Sequence, residues 1–205
     1  MRHGQGEVNV SGRIGGPIGC SGLTETGRRQ VAAMAHRLSA SAELAGADAL
    51  YASILPRAIE TAAILAPALG QRADEVIEDC SLCELHPGEA DDLIWEDYIE
   101  RYEVPDWDAD PSLPLAPGGE AWNGFVDRAA DALEALAAAH PGQLVVVATH
   151  AGVIEAAVLR FVGASPPGGP HRRLRLQTAH ASLSEFEASA GRWRLRRYND
   201  AAVGI

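Results

Sequence analysis

Hydrophobic and polar positions along this chain alternate between two repeats, one helical and one extended. From Thr24 to Ser41 the spacing predicts a helix, because Val31, Met34, Ala35 and Leu38 fall on one apolar stripe. Asp48 to Ser53 predicts a short strand. Pro56 then suits the first turn of a second helix, Gly70 suits its C-terminal cap, and Ile59, Ala62, Ala63 and Ala66 form its buried face. Glu75 to Ile77 reads as a weak strand. A long helix is predicted from Glu120 to Ala139, with Trp122, Phe125, Val126, Ala129, Leu133 and Leu136 on one side, and His140-Pro141-Gly142 stops it. Leu144 to Ala148 is a continuous apolar run, the pattern of a strand buried on both faces of a parallel sheet. A helix over Gly152 to Val162 follows. Two alternating strands close the chain, Arg173 to Ala188 and Arg192 to Tyr198, around a turn at Ala190-Gly191. The order predicts an α/β fold, a three-layer α/β/α sandwich with a mostly parallel central sheet.

Two stretches escape this pattern. Residues 1–22 are rich in glycine and read as a loop; Gly16, Gly19 and Gly22 lack the preceding strand that a nucleotide-binding fingerprint requires. From Glu84 to Asp110 the chain holds 11 acids and one arginine, with Trp95, Tyr98 and Tyr102 among them. This region reads as an acidic helical insert near residues 88–116 of a single domain covering 1–205.

Composition narrows the partners. The net charge of −11 argues against nucleic acid, whose phosphates require a surplus of cations. All 17 basic residues are arginine, so Schiff-base chemistry and a phosphate-loop lysine are both excluded. The three cysteines, Cys20, Cys80 and Cys83, argue against a disulfide framework and fit a reducing cytoplasm. No apolar run is long enough to span a bilayer, and no secretory leader is visible, so no membrane partner is expected. The pattern leaves monomer and homodimer both open.

Ligands of open α/β sheets bind beyond the carboxyl ends of the strands. There the chain offers Arg57 after the first predicted strand, and His150 in Thr149-His150-Ala151-Gly152 after the apolar one. It also begins Arg2-His3-Gly4, and Glu84 is a nearby acid. Two guanidinium groups can hold a phosphate through paired hydrogen bonds, an imidazole can attack phosphorus, and a carboxyl group can protonate the leaving oxygen.

These segments resemble the histidine phosphatase superfamily, also called phosphoglycerate-mutase-like, over nearly the whole chain. Arg2-His3-Gly4 with Asn9 downstream is similar to its signature, and Gly22 to Gln30 to the start of its first helix. Tyr51 to Ala62 resembles the segment bearing its second phosphate arginine. Leu82-Cys83-Glu84, Pro117-Gly118-Gly119-Glu120 and Val146 to Gly152 complete the set. The resemblance implies that His3 is the nucleophile, that Arg2, Arg57 and His150 bind the phosphoryl group, that Asn9 adds a contact, and that Glu84 is general acid and then base. It implies hydrolysis of a small phosphorylated metabolite through a phosphohistidine, with no cofactor and no metal. The alternatives are a phosphoglycerate-type mutase and a non-catalytic phospho-ligand or partner-binding member of the same fold.

The chain also departs from that family. Gly6 stands where relatives carry Ser or Thr, and Gly19 and Cys20 where an Asp is usual. Relatives place an apolar strand before Arg-His-Gly, whereas only Met1 stands there here. The expectation is a start assigned too far downstream or a shortened variant, with poor activity in this form; an in-frame apolar run upstream of Met1 would bear it out. Cys80 and Cys83 have a Cys-x-x-Cys spacing but show neither a second pair nor a helix N-terminus, so they read as structural. Asp106, Asp108 and Asp110 mimic a calcium loop, but Pro111 stands where Gly is required. Arg192, Arg194 and Arg196 share one solvated face of the last strand. His36, His86, His140, His171 and His180 receive no role, although His86 is near enough to Glu84 to line its pocket.

Overall fold

The computed structural model describes residues 1–163 and 176–202. Its helices are α1 (Val8–Ser11), α2 (Glu25–Ser41), α3 (Pro56–Leu69), α4 (Trp95–Arg101), α5 (Trp122–Ala139) and α6 (Ala151–Phe161). Its strands are β1 (Ala49–Ala52), β2 (Ile77–Glu78), β3 (Val145–Ala148), β4 (Leu183–Ser189) and β5 (Arg192–Asp200). β1 lies between β2 and β3 and is parallel to both, with Ala49 opposite Val145 and Ala52 opposite Ala148. β4 and β5 form an antiparallel hairpin. This is the α/β fold with a mostly parallel central sheet that the alternation predicts.

The helices build two cores because each has one apolar side. Val31, Met34 and Leu38 of α2 and Ala62, Leu65 and Leu69 of α3 pack with Leu50, Ala52, Val146 and Ala148 in one core. Phe125, Val126 and Ala129 of α5 join Val153 and Ala156 of α6 in another, against which Leu85 and Trp107 pack. Thr24 caps α2 by accepting the Gly27 N–H at 2.9 Å.

The chain start joins the two sheets. Arg2 pairs with Thr149 as a parallel bridge beyond β3. The His3 amide donates to Thr149 at 2.9 Å, and the Thr149 amide to Met1 at 2.8 Å. On the other side the Arg2 amide donates to Ser182 and the Ala181 amide to His3, both at 3.0 Å, just before β4. Met1–His3 is thus a short strand between two ladders. The Met1 amine is fully buried, donates to Val147 O at 2.6 Å, and is pushed by burial down to about 5.

Several expectations need correction. The loop expected over residues 1–22 contains α1, a single turn too short to show a periodicity. The insert is only partly helical: one short helix, α4, and a 3₁₀ turn at Gly88–Ala90. After Arg101 four prolines, Pro105, Pro111, Pro114 and Pro117, interrupt the backbone ladder, and Asp side chains replace it locally. Asp106 Oδ1 accepts the Asp108 and Ala109 amides, and Asp110 Oδ1 accepts that of Ser112. The insert is anchored, since Tyr98 is fully buried beside Ala90 and Ala116 and donates to Leu115 O at 2.8 Å. The strand expected from Arg173 begins at Leu183 instead; residues 173–175 lie outside the described residues. Among the described residues no helix is long and apolar enough to cross a membrane.

Candidate active site

The short strand Met1–His3 delivers the His3 imidazole to the carboxyl end of the sheet, where it is buried. Its Nδ1 lies 2.6 Å from Gly4 O, so this nitrogen holds the proton. Nε2 is then left with a lone pair, and it accepts a hydrogen bond from Arg57 Nε at 3.2 Å. Close backbone packing fixes the loop that follows. A Cβ at Gly4 would sit 2.5 Å from Gly27 O, and one at Gly27 would sit 2.0 Å from Gln5 O. Glycine at both positions lets the start of α2 press against the segment carrying the imidazole.

Arg57 is the second residue of α3, after Pro56, and it is buried. Its Nη1 donates to Gly15 O at 3.0 Å, which ties the glycine-rich loop across the site. His150 is the N-cap of α6 and is wholly buried. Both side chains therefore stand at helix N-termini, where the helix dipole favours anions. Ser53, at the end of β1, lies 2.7 Å from His150 Nε2 through its Oγ, which already accepts the Leu55 amide at 3.2 Å. Ser53 thus fixes the orientation of the His150 ring. The His150 Nδ1 is buried and has no hydrogen-bond partner, and the same is true of Arg2 Nε. The His3 and His150 rings lie 5.1 Å apart between centroids, edge to face.

Arg2 donates through Nη1 to Thr178 O and through Nη2 to His180 Nε2, the latter at 2.9 Å. His180 had no role in the sequence reading, yet its ring is 5.8 Å from that of His3. It sits in a turn of small residues, Thr178 to Ser182, without periodicity to mark it. Asn9 reaches the cluster indirectly: its Oδ1 accepts the Gly6 amide at 2.9 Å and lies 3.2 Å from His180 Nε2. Glu84 lies at the rim, where Oε2 accepts the Gly152 amide at 3.1 Å from the first turn of α6. A cleft of about 330 Å³ opens beside it, lined by Ile14, Leu85, Trp107, Trp122 and Glu155 among others. Arg13 pairs with Asp92 at 3.1 Å. His86 does not line the pocket as expected: its ring faces Cys80 and Glu120 instead.

Electrostatics sort these groups into neutral and charged. Burial, reinforced by the Arg57 charge, holds His3 and His150 well below the ordinary imidazole range, so both are neutral at neutral pH. His180 is pushed down to about 4, first by burial and then by Arg2. A neutral ring with an unprotonated Nε2, next to two guanidinium groups and helix N-termini, can attack an electrophile that carries negative charge once the Arg57 guanidinium turns to the incoming anion.

Comparison with known proteins decides the lineage. The profile of the histidine phosphatase superfamily (branch 1) matches residues 1–201. This chain belongs to that superfamily. It is 33% identical over 207 residues to a metal-independent phosphoserine phosphatase of Arabidopsis thaliana, covering 98% of this chain and 80% of that protein. Its fold superimposes on a mycobacterial glucosyl-3-phosphoglycerate phosphatase solved with VO₃, at TM-score 0.77 and 26% identity, covering 98% and 97% of the two chains. It also superimposes on Bacillus stearothermophilus YhfR, at TM-score 0.80 and 27% identity, covering 98% and 95%. The histidine phosphatase described here is thus an enzyme of the phosphoric monoester hydrolase class.

Proposed function

We propose that this histidine phosphatase hydrolyses a small phosphomonoester in two steps on His3. In the first, His3 Nε2 attacks phosphorus and the P–O bond to the leaving alcohol breaks, while Glu84 donates a proton to the departing oxygen. In the second, a water takes the position of the alcohol and returns a proton to Glu84. A new P–O bond forms, the P–N bond breaks, and inorganic phosphate leaves. Arg2, Arg57 and His150 bind the equatorial oxygens throughout, the work that positively charged clamps do in phosphoryl transfer. Asn9 holds the turn after His3 by accepting the Gly6 amide.

One observation carries this reading. Two buried nitrogens, Arg2 Nε and His150 Nδ1, lack any hydrogen-bond partner inside the protein, in the cluster that also holds the acceptor nitrogen of His3. Buried polar atoms are otherwise almost always satisfied, and the Arg2 N–H can only donate, so the pair is disposed for an anion. The likeness to the Arabidopsis phosphoserine phosphatase favours a phosphorylated metabolite bearing a small polar leaving group. The acidic insert favours one phosphate over a polyanion, since like charges repel at close range. The three free thiols fit a cytoplasmic setting.

The test is turnover of p-nitrophenyl phosphate and of phosphoserine, with and without EDTA, for the wild type and for His3→Ala. Turnover should ignore the chelator and vanish in His3→Ala, and an acid-labile phosphoenzyme should be trapped in the wild type alone. Full activity in His3→Ala, or complete loss in EDTA, would overturn the mechanism.

A further inference from the structure

Outside the phosphate cradle, the clearest concentration of chemistry is on the loop just before and after Glu84. Cys80, Cys83 and His86 bring two thiol sulfurs and one ring nitrogen within 4.8 Å of one another. The 3₁₀ turn Cys80–Leu82 places the first sulfur, and the extended residues after it place the other two groups. In the sequence, Cys80 and Cys83 read as structural because no further ligand was visible. The missing partner was His86, three residues on, which the fold turns back towards the sulfurs. We propose that Cys80, Cys83 and His86 form a three-ligand site for a soft cation of the zinc class, distinct from the catalytic groups.

The geometry suits that ion. A tetrahedral zinc with Zn–S of about 2.3 Å and Zn–N of about 2.05 Å separates a sulfur and a nitrogen ligand by about 3.6 Å, and two sulfurs by about 3.8 Å. Cys80 Sγ and His86 Nε2 lie 3.5 Å apart, close to that edge. Two thiolates and an imidazole select zinc over magnesium or calcium, which take oxygen ligands. The surroundings support the ligand ring as well. His86 Nδ1 lies 3.5 Å from Glu120 Oε2, and the His86 amide donates to the same oxygen at 2.9 Å. Glu120 thus stands on the Nδ1 side of the ring and leaves Nε2 to the ion. Glu120 is in turn held by Arg128 through two 2.7 Å hydrogen bonds. Arg128 also clamps the loop through Ser81 O at 2.8 Å and Cys83 O at 3.1 Å. Cys83 is buried and Cys80 exposed, so an ion can reach the sulfurs from the Cys80 side. Binding replaces the two thiol protons with one dication and releases both to solvent.

The test is equilibrium dialysis of the whole protein against buffered Zn²⁺ with a phosphine reductant, beside Cys80→Ser, His86→Ala and the surface control His36→Ala. Replacing Zn²⁺ with Co²⁺ adds a spectroscopic readout. Cys80 is exposed and His86 only partly buried, so neither substitution empties the core; Cys83 is avoided because it does. The wild type and His36→Ala should bind one Zn²⁺ per chain and release two protons, with a sulfur-to-cobalt charge-transfer band for Co²⁺. Loss of an outer-shell partner weakens metal sites roughly 10- to 100-fold, so loss of a ligand should weaken Cys80→Ser and His86→Ala by about 100-fold or more. Absence of saturable binding in the wild type, equal affinity in all four proteins, or a cobalt spectrum without the sulfur band would each overturn the proposal. None of these readouts depends on turnover, so they stand or fall separately from the phosphatase mechanism.

Discussion

Lowering the pH from 7 to 4 should destabilise this protein partly through one residue, His180. Its imidazole is pushed from 6.5 to about 4, by burial and then by the neighbouring Arg2 charge. The folded chain thus refuses a proton that the unfolded chain takes up below 6.5. The stabilisation is complete above that value and is lost as the pH falls towards 4. At about 1.4 kcal/mol per unit, the shift corresponds to about 3 kcal/mol. Solvent reaches part of the side chain, and halving the figure for that exposure leaves about 1.5 kcal/mol. His180→Gln removes the titration while keeping an oxygen that can accept from Arg2. His3 and His150 are depressed by the same burial but are present in both proteins, so their contribution cancels. The assay is urea unfolding followed by tryptophan fluorescence at both pH values. The wild type should lose about 1.5 kcal/mol more than the variant, a midpoint shift of about 0.7 M urea at a slope of about 2 kcal/mol/M. Equal losses in the two proteins would refute the reasoning, and a larger loss in the variant would reverse its sign.

Other substitutions probe the remaining parts. In Gly27→Ala the new Cβ would meet Gln5 O at 2.0 Å, a backbone atom that cannot swing aside; a loss of about 2 kcal/mol or more in thermal unfolding is expected, together with reduced turnover. In Gly152→Ala the methyl would meet Glu84 Oε1 at 2.1 Å and displace the carboxylate. Formation of the phosphoenzyme from alkyl phosphates should fall roughly 100-fold while its formation from p-nitrophenyl phosphate, whose leaving group needs no proton, is nearly spared, as rapid-quench trapping will show. Ser53→Ala removes the 2.7 Å partner of His150 Nε2. A cost of about 1–3 kcal/mol in stability and weaker inhibition by vanadate are the expected outcomes, measured by denaturation and by steady-state kinetics.

The sequence already spoke for much of this molecule where periodicity was long. The stripe Val31, Met34, Leu38 and the apolar run ending at Ala148 belong to α2 and β3 as predicted, because each buries one continuous surface. Arg57 and His150 were visible because they follow predicted strands, and strand ends are where such sheets gather ligands. His180 was not visible: nothing in a turn of small residues says that Arg2, far away along the chain, needs a partner there. Ser53 was hidden for the same reason, since a hydroxyl that orients a ring is indistinguishable in sequence from any strand-end serine. The insert misled because acids and aromatics at helical spacing stand beside prolines, and the prolines dominate after Arg101. His86 was passed over because its partners, Cys80 and Glu120, come together only when the loop folds.

The nucleophile rides on the seam between two ladders, and this ties catalysis to assembly. Three residues close the gap from β3 to the hairpin. Warming that frays them would misaim the imidazole while most helices persist, so heat inactivation should run ahead of the fall in ellipticity. The reactive nitrogen would then serve as an early reporter of that seam.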